Sequence, residues 1–334
     1  MKTIDDLIAV VTLGVPAGHQ ALFVYPLTCE GRCEAQAYLV LDDALGTGQF
    51  RLTEISESGS VPRLLAINES SSPIFLLDGE ELVGAKQNRV LNLSIMLAPK
   101  SKTEIPVSCV EAGRWRTESH TFRTAQRVQF ARGRAQKMEQ VSRSLYLNGD
   151  AASDQTAVWD TISAKSGRMR VASPTGAMAA LFESCRDDLR DYLDAIPTSD
   201  GQCGAVYAIG DAVVGMEIFD SDTAFKKLAG KLVASYALDA MELNRPAKPP
   251  DASVVRAFID SVCAATRQRS SIVGIGETVR LSANDLVGAA LDVAGGCVHL
   301  AAFRRQAFED QSRTKPSTGP TPLGQRATHE WRKK

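Results

Sequence analysis

Short apolar runs, each closed by turn-forming residues, follow one another through residues 1–118, and they limit that part of the chain to a β-rich fold. Leu22–Leu27 and Ala37–Leu41 are rich in aromatic and branched residues, as strands are. Arg51–Ile55 alternates polar with apolar residues, the pattern of a half-buried strand. Val61–Ile67, the polar turn Asn68–Pro73 and Ile74–Leu77 predict a hairpin. A second hairpin is expected from Val90–Leu97, a turn at Pro99–Lys102, and Glu104–Val110. Leu7–Val15 fits strand or helix, and Asp42–Leu45 fits one helical turn.

After Trp115 the period changes. Val128, Ala131, Ala135, Met138, Val141 and Leu145 recur at helical steps, with Arg123, Arg127, Arg132, Arg134, Lys137 and Arg143 on the other face. Ser153 is placed to cap a helix burying Val158, Trp159 and Ile162. Ser173-Pro174 predicts the start of another, carrying Met178, Leu181, Phe182, Cys185, Leu189 and Tyr192 on one side. Gly204–Phe219 reads as a hairpin turning at Gly210-Asp211. Helices capped near Ser221 and at Asp251 follow, then strands at Ile272–Leu281 and Cys297–Phe303. The expected class is α+β: an antiparallel, sandwich or barrel-like unit over residues 1–118, then a mixed helix and hairpin unit over 119–310. Residues 311–334, basic and nearly without apolar side chains, read as a disordered tail.

A net charge of −1 gives no global field for nucleic acid or an anionic membrane, so either partner would need a local patch. Seven scattered cysteines predict reduced thiols rather than a disulfide framework, and Cys29 and Cys33 lack the second ligand pair of a zinc site. Asp5 and Asp6 stand where a signal peptide is positive, and no apolar run reaches the roughly 18 residues that span a bilayer. The expected location is therefore cytoplasmic.

Two stretches concentrate chemistry. Asp78-Gly79-Glu80-Glu81-Leu82-Val83-Gly84-Ala85-Lys86-Gln87-Asn88-Arg89 follows an apolar run, and Ile105–Trp115 contains Ser108-Cys109-Val110-Glu111 and Arg114. Neighbours in a strand point to opposite faces, so Glu80 and Glu81 form no acid/base pair unless the strand breaks at Gly79 or Gly84. One of them facing a pocket could be a general base, whereas a glutamate beside a turn also serves as plain solvated surface. Lys86, Gln87, Asn88 and Arg89 suit a phosphate and an adenine edge, or merely a polar loop. Cys109 is either a nucleophile activated by a nearby cation or a buried structural thiol. Glu111 is a third candidate base, equally readable as the ion-pair partner of Arg114. Trp115 can stack on a base or pack at a domain junction. The Arg123–Arg143 face offers a nucleic-acid contact, against the simpler reading of a solvated helix surface. Gly274-Ile275-Gly276 lacks the third glycine of a dinucleotide fingerprint.

The runs Gly59–Pro62, Leu77–Arg89 and Ile105–Trp115 resemble the hallmark motifs of the bacterial ARPP family, the ADP-ribosylglycohydrolase and rhodanese-phosphatase-superfamily associated proteins. The resemblance covers most of residues 1–305. It implies a role near ADP-ribose and NAD derivatives, with a nucleotide metabolite as ligand or an ADP-ribose-processing protein as partner. Under it, Glu80, Glu81, Glu111 and Cys109 are the catalytic candidates for hydrolysis or transfer at an ADP-ribosyl linkage. Arg89 and Lys86 would meet the pyrophosphate, a glutamate the ribose, Asn88 or Gln87 the adenine, and Trp115 a stacked base, with Asp78 and Arg114 completing the set. The alternatives are a non-catalytic scaffold and a nucleic-acid binder. The residues name no cofactor and no metal.

Overall fold

Strand runs that are apolar on both faces need cover on both sides, and the chain supplies it with helices. The computed structural model describes residues 3–29, 38–56, 62–114, 119–243 and 247–305. Trp115, Gly59–Val61, Cys33 and the 311–334 tail lie outside the described residues, as do the readings placed on them. The chain opens with α1 (Ile4–Ala9), β1 (Val11–Leu13), β2 (Ala17–His19), β3 (Leu22–Cys29), β4 (Leu39–Val40) and α2 (Leu41–Gly46). Then come β5 (Phe50–Thr53), β6 (Arg63–Asn68), β7 (Ile74–Leu76), β8 (Glu80–Gly84), β9 (Arg89–Leu91) and β10 (Ile95–Leu97). β11 (Ser101–Cys109) and β12 (Phe122–Val128) precede the helices α3 (Ala131–Asn148), α4 (Gln155–Met169), α5 (Ala179–Ser184) and α6 (Arg186–Ala195). The hairpin β13 (Gln202–Ile209) and β14 (Ala212–Phe219) leads to α7 (Asp222–Ala240) and α8 (Ala252–Cys263). A meander closes the described chain: β15 (Thr266–Ser271), β16 (Glu277–Ala283), β17 (Leu286–Val293) and β18 (Gly296–Arg304).

The fold is α+β and rich in antiparallel sheet. The largest sheet runs β1-β3-β13-β14-β18-β17-β16-β15, with β2 also on β3. A six-stranded sheet runs β12-β8-β9-β11-β6-β5, and a three-stranded one β10-β7-β4, where β4 and β7 pair in parallel. Side chains of β13 alternate between two apolar clusters. Val206 and Ala208 face α1 and α8, with Leu7, Val255 and Phe258, while Tyr207 and Ile209 join the cluster of α3, α6 and α7. Burial of each Val, Leu, Ile or Phe here is worth roughly 1.5–3 kcal/mol, so the covered sheet is the main source of stability.

Strand pairing crosses the division expected at residue 118. β1, β2 and β3 belong to the sheet of the later residues, and β12 belongs to the sheet of the earlier ones. The first expected hairpin also dissolves, because β6 pairs with β5 and β11 while β7 pairs with β10 and β4. In the second, Arg89–Leu91 pairs with β11, but Ile95–Leu97 leaves for the three-stranded sheet. Val128 ends a strand, and α3 begins only at Ala131. Asp154 rather than Ser153 caps α4, accepting bonds from Thr156 and Ala157 N–H. The helix expected after Pro174 starts at Ala179 and breaks at Cys185. The Gly204–Phe219 hairpin, the Ser221 cap and the long helix after it stand as expected.

Candidate functional site

The Asp78–Arg89 motif is built around two turns that need unusual backbone. Gly79 has φ +82°, and a Cβ there would meet Arg134 Cδ at 2.9 Å, so the turn entering β8 requires glycine. After β8 the chain turns through Gly84 at φ +133° and Ala85 at φ +44°, a left-handed conformation that alanine adopts only under restraint. Between these turns, β8 sends Glu80 and Glu81 to opposite sides, as strand alternation demands.

On the first side, Lys231 Nζ donates to Glu80 Oε1 at 2.7 Å and to Asp42 Oδ2 at 2.8 Å. Glu80 Oε2 accepts the Leu77 N–H at 3.0 Å, which fixes the turn. Asp78 faces Lys137 Nζ at 2.9 Å and Arg134 Nε at 3.4 Å, and Arg134 Nη1 reaches Glu217 Oε1 at 2.5 Å. Asp78, Glu80, Arg134, Lys137 and Glu217 are all at most 2% exposed. Buried charges survive only when paired this closely, and removing one partner strands the other. This network welds the motif to α3, α7 and β14. Asp78 and Glu80, expected as ligand or catalytic groups, both stand within that framework.

The second side gathers the other half of the expected site. Asn88 Nδ2 donates to Glu81 Oε1 at 3.4 Å, while its Oδ1 accepts from Arg114 Nη2 at 2.8 Å and from the Gly84 N–H at 3.4 Å. Arg114 Nε donates to Glu111 Oε2 at 2.8 Å, and Arg114 Nη1 donates to the Ala85 carbonyl at 3.0 Å. The Asn88 N–H reaches the same Glu111 oxygen at 3.4 Å, and Thr175 Oγ1 donates to Glu111 Oε1 at 2.8 Å. Arg127 Nε lies 2.7 Å from Glu81 Oε2, and its Nη2 lies 3.7 Å from the exposed Glu183. The two motifs thus converge here, through Glu81, Asn88, Glu111 and Arg114.

Burial pushes the Glu81 carboxyl up to about 7, with Glu111 and Glu183 adding to the rise and Arg127 and Asn88 opposing it. A carboxyl that exchanges its proton near neutral pH suits general acid/base work. Glu81 is wholly buried, whereas Arg127 keeps 17% of its side chain and Glu183 57% in solvent, so the cluster opens outward through those two.

Behind the cluster, Arg89 is fully buried and donates to Gln87 Oε1 at 3.2 Å, with Glu54 Oε1 3.7 Å from its Nη2. Cys109 pairs with Arg89 in register, and burial pushes its thiol up to about 11. At neutral pH it is therefore held as the protonated thiol, the state that goes with the buried structural reading of Cys109. Gln155 clamps the Cys109 backbone, accepting from its N–H and donating to its carbonyl, each at 2.8 Å. Lys86 is half-buried in the Gly84–Asn88 turn. Among the described residues no group of His, Cys, Asp or Glu is placed to hold a metal, and no helix is long and apolar enough to cross a membrane.

Arg127 and Thr175 enter the site from outside both motifs. Arg127 was expected on a solvated helix face; the Phe122–Val128 spacing, apolar at both ends of a strand-length run, is the signal for its true setting. Thr175 lies in a loop with no sequence mark beyond Ser173-Pro174. The Arg123–Arg143 face itself divides: Arg132, Arg134 and Lys137 turn inward, leaving Arg123 and Arg143 exposed, so no continuous basic stripe faces a nucleic acid.

Residues 10–303 match the family model described as the ARG and Rhodanese-Phosphatase-superfamily-associated Protein domain, and the chain belongs to that family. No curated protein and no solved structure matches it.

Proposed function

We propose that this family member binds, and processes by hydrolysis or transfer, an ADP-ribosyl or NAD-derived metabolite at the Glu81–Glu111 cluster. The family's name records association with ARG proteins, and reading ARG as ADP-ribosylglycohydrolase supports a ligand of this class. The observation that carries the reading is the Glu81 carboxyl, poised near neutrality and tied to Glu111 through Asn88 and Arg114. In this reading Glu81 takes the proton of the water or acceptor hydroxyl that attacks the anomeric carbon, and the bond to the leaving group breaks. Arg127 and Lys86 offer positive charge to the pyrophosphate. Asn88, Arg114 and Glu111 form the frame that holds Glu81 in place. Arg89 and Gln87, buried behind it, brace the turn instead of touching ligand.

Incubation with NAD and a panel of ADP-ribosyl conjugates, followed by chromatography of the products, tests the proposal. Wild-type protein is expected to release ADP-ribose, and Glu81→Gln to lose at least a hundredfold in rate while still binding. Binding without turnover in the wild type would favour a non-catalytic scaffold. Neither binding nor turnover would end the reading.

A further inference from the structure

We propose that Ser94, His299 and Glu217 form a second reactive centre, in which Ser94 is a nucleophile toward small acyl esters. Ser94 Oγ lies 3.0 Å from His299 Nδ1, and His299 Nε2 lies 2.9 Å from Glu217 Oε2. The other Glu217 oxygen is held by Arg134 at 2.5 Å, so the carboxylate is fixed as the acceptor of the Nε2 proton. That leaves Nδ1 as the base facing the serine. The order is that of a serine–histidine–carboxylate relay with the imidazole turned end for end, and either ring nitrogen is competent as base.

Burial gives the relay a direction. His299 is 2% and Glu217 0% exposed, while Ser94 is only half-buried and forms the outward end. A ring of hydrogen bonds serving the fold alone could be sealed at every member. Beside the serine lies a cavity of about 10 Å³, room for one water, lined by Asp78, Ser94, Thr278, Arg280 and His299. The cavity seats one water and no acyl group, so the ester meets Ser94 from the serine's partly exposed side, and Arg280, which donates to Ser142 Oγ at 2.9 Å and to the Met138 carbonyl at 2.8 Å, lends the cavity wall positive charge. The Asp78 N–H, donating to Ser94 Oγ at 3.0 Å, holds the hydroxyl in place.

In the reaction, the Ser94 Oγ–carbon bond forms on the ester carbonyl and the Ser94 proton passes to His299 Nδ1. The carbon–oxygen bond to the alcohol then breaks, and the alcohol leaves with that proton. Water, deprotonated by the same nitrogen, releases the acid and restores the serine. Glu217 acts as a positioning residue throughout.

The test uses p-nitrophenyl acetate with the full chain, reading p-nitrophenolate release and the acetylated peptide by mass spectrometry. The expected adduct is one acetyl group on Ser94, absent in Ser94→Ala and formed about a hundredfold more slowly in His299→Gln. The pH profile of the rate should change in Glu217→Gln. Asp78 and Arg280 line the cavity beside this centre, Arg134 pairs with Glu217, and Lys137 pairs with Asp78. Because Ser94→Ala removes the acceptor of the Asp78 N–H, Ser94→Cys serves as a second probe, its thiol alkylated by iodoacetamide at least tenfold faster with His299 present than with His299→Gln. Acetylation confined to lysines, or equal alkylation in both backgrounds, would overturn the proposal.

Discussion

Glu81 shows how one side chain couples fold and chemistry. Burial pushes its carboxyl up to about 7 in the folded protein, from the ordinary 4.5 of a solvated glutamate. Because the folded pKa is raised, the folded state holds the proton more tightly. Stability contributed below pH 4.5 is therefore lost as pH rises toward 7. Glu81→Gln carries no such proton. Its stability relative to wild type should gain roughly 1.4 kcal/mol per pH unit across that window, measured by urea denaturation. A flat difference would place the Glu81 pKa in the ordinary range. Gly79→Ala is expected to cost about 1–3 kcal/mol in the same assay, since φ +82° and the close Arg134 side chain both exclude a Cβ. At this scale the sequence was informative: strand alternation already separated Glu80 from Glu81. It could not tell which of them faced a framework lysine, because Lys231 lies 151 positions away along the chain.

Elements carry the site through partners that local patterns do not reveal. The α3 stripe of Ala131, Ala135, Met138, Val141 and Leu145 is buried as its spacing predicts. Its basic face misled, because Arg134 and Lys137 look like solvated charges until β8 and β14 bring Asp78 and Glu217 to them. Lys137→Met should therefore destabilise by about 3–5 kcal/mol, the range for stranding one partner of a buried pair. Adding Asp78→Asn should return part of that loss in a double-mutant cycle. Strict additivity of the two would show that they do not interact. The Phe122–Val128 strand was missed for a related reason: Arg123 and Arg127 interrupt its apolar pattern because one of them serves Glu81.

The whole molecule is knitted by strands that return across it. β3 lies beside β13, and β12 beside β8, so neither of the two larger sheets is complete within residues 1–118 or within 119–305. The two fragments are expected to be unfolded or insoluble when expressed separately, by circular dichroism and gel filtration, and to recover structure when co-expressed. Independent folding of either would contradict this pairing. Fold class was legible because periodicity is local; topology was not, because short apolar strands carry no label of their distant partners. The same long-range closure brings Thr175 and Arg127 to the two motifs and completes the cluster around Glu81. Calorimetric titration of the full chain with ADP-ribose tests that cluster most directly. Saturable binding that is weakened at least tenfold by Arg127→Ala and left intact by Arg143→Ala is the predicted result, and no heat of binding at millimolar ADP-ribose would contradict it.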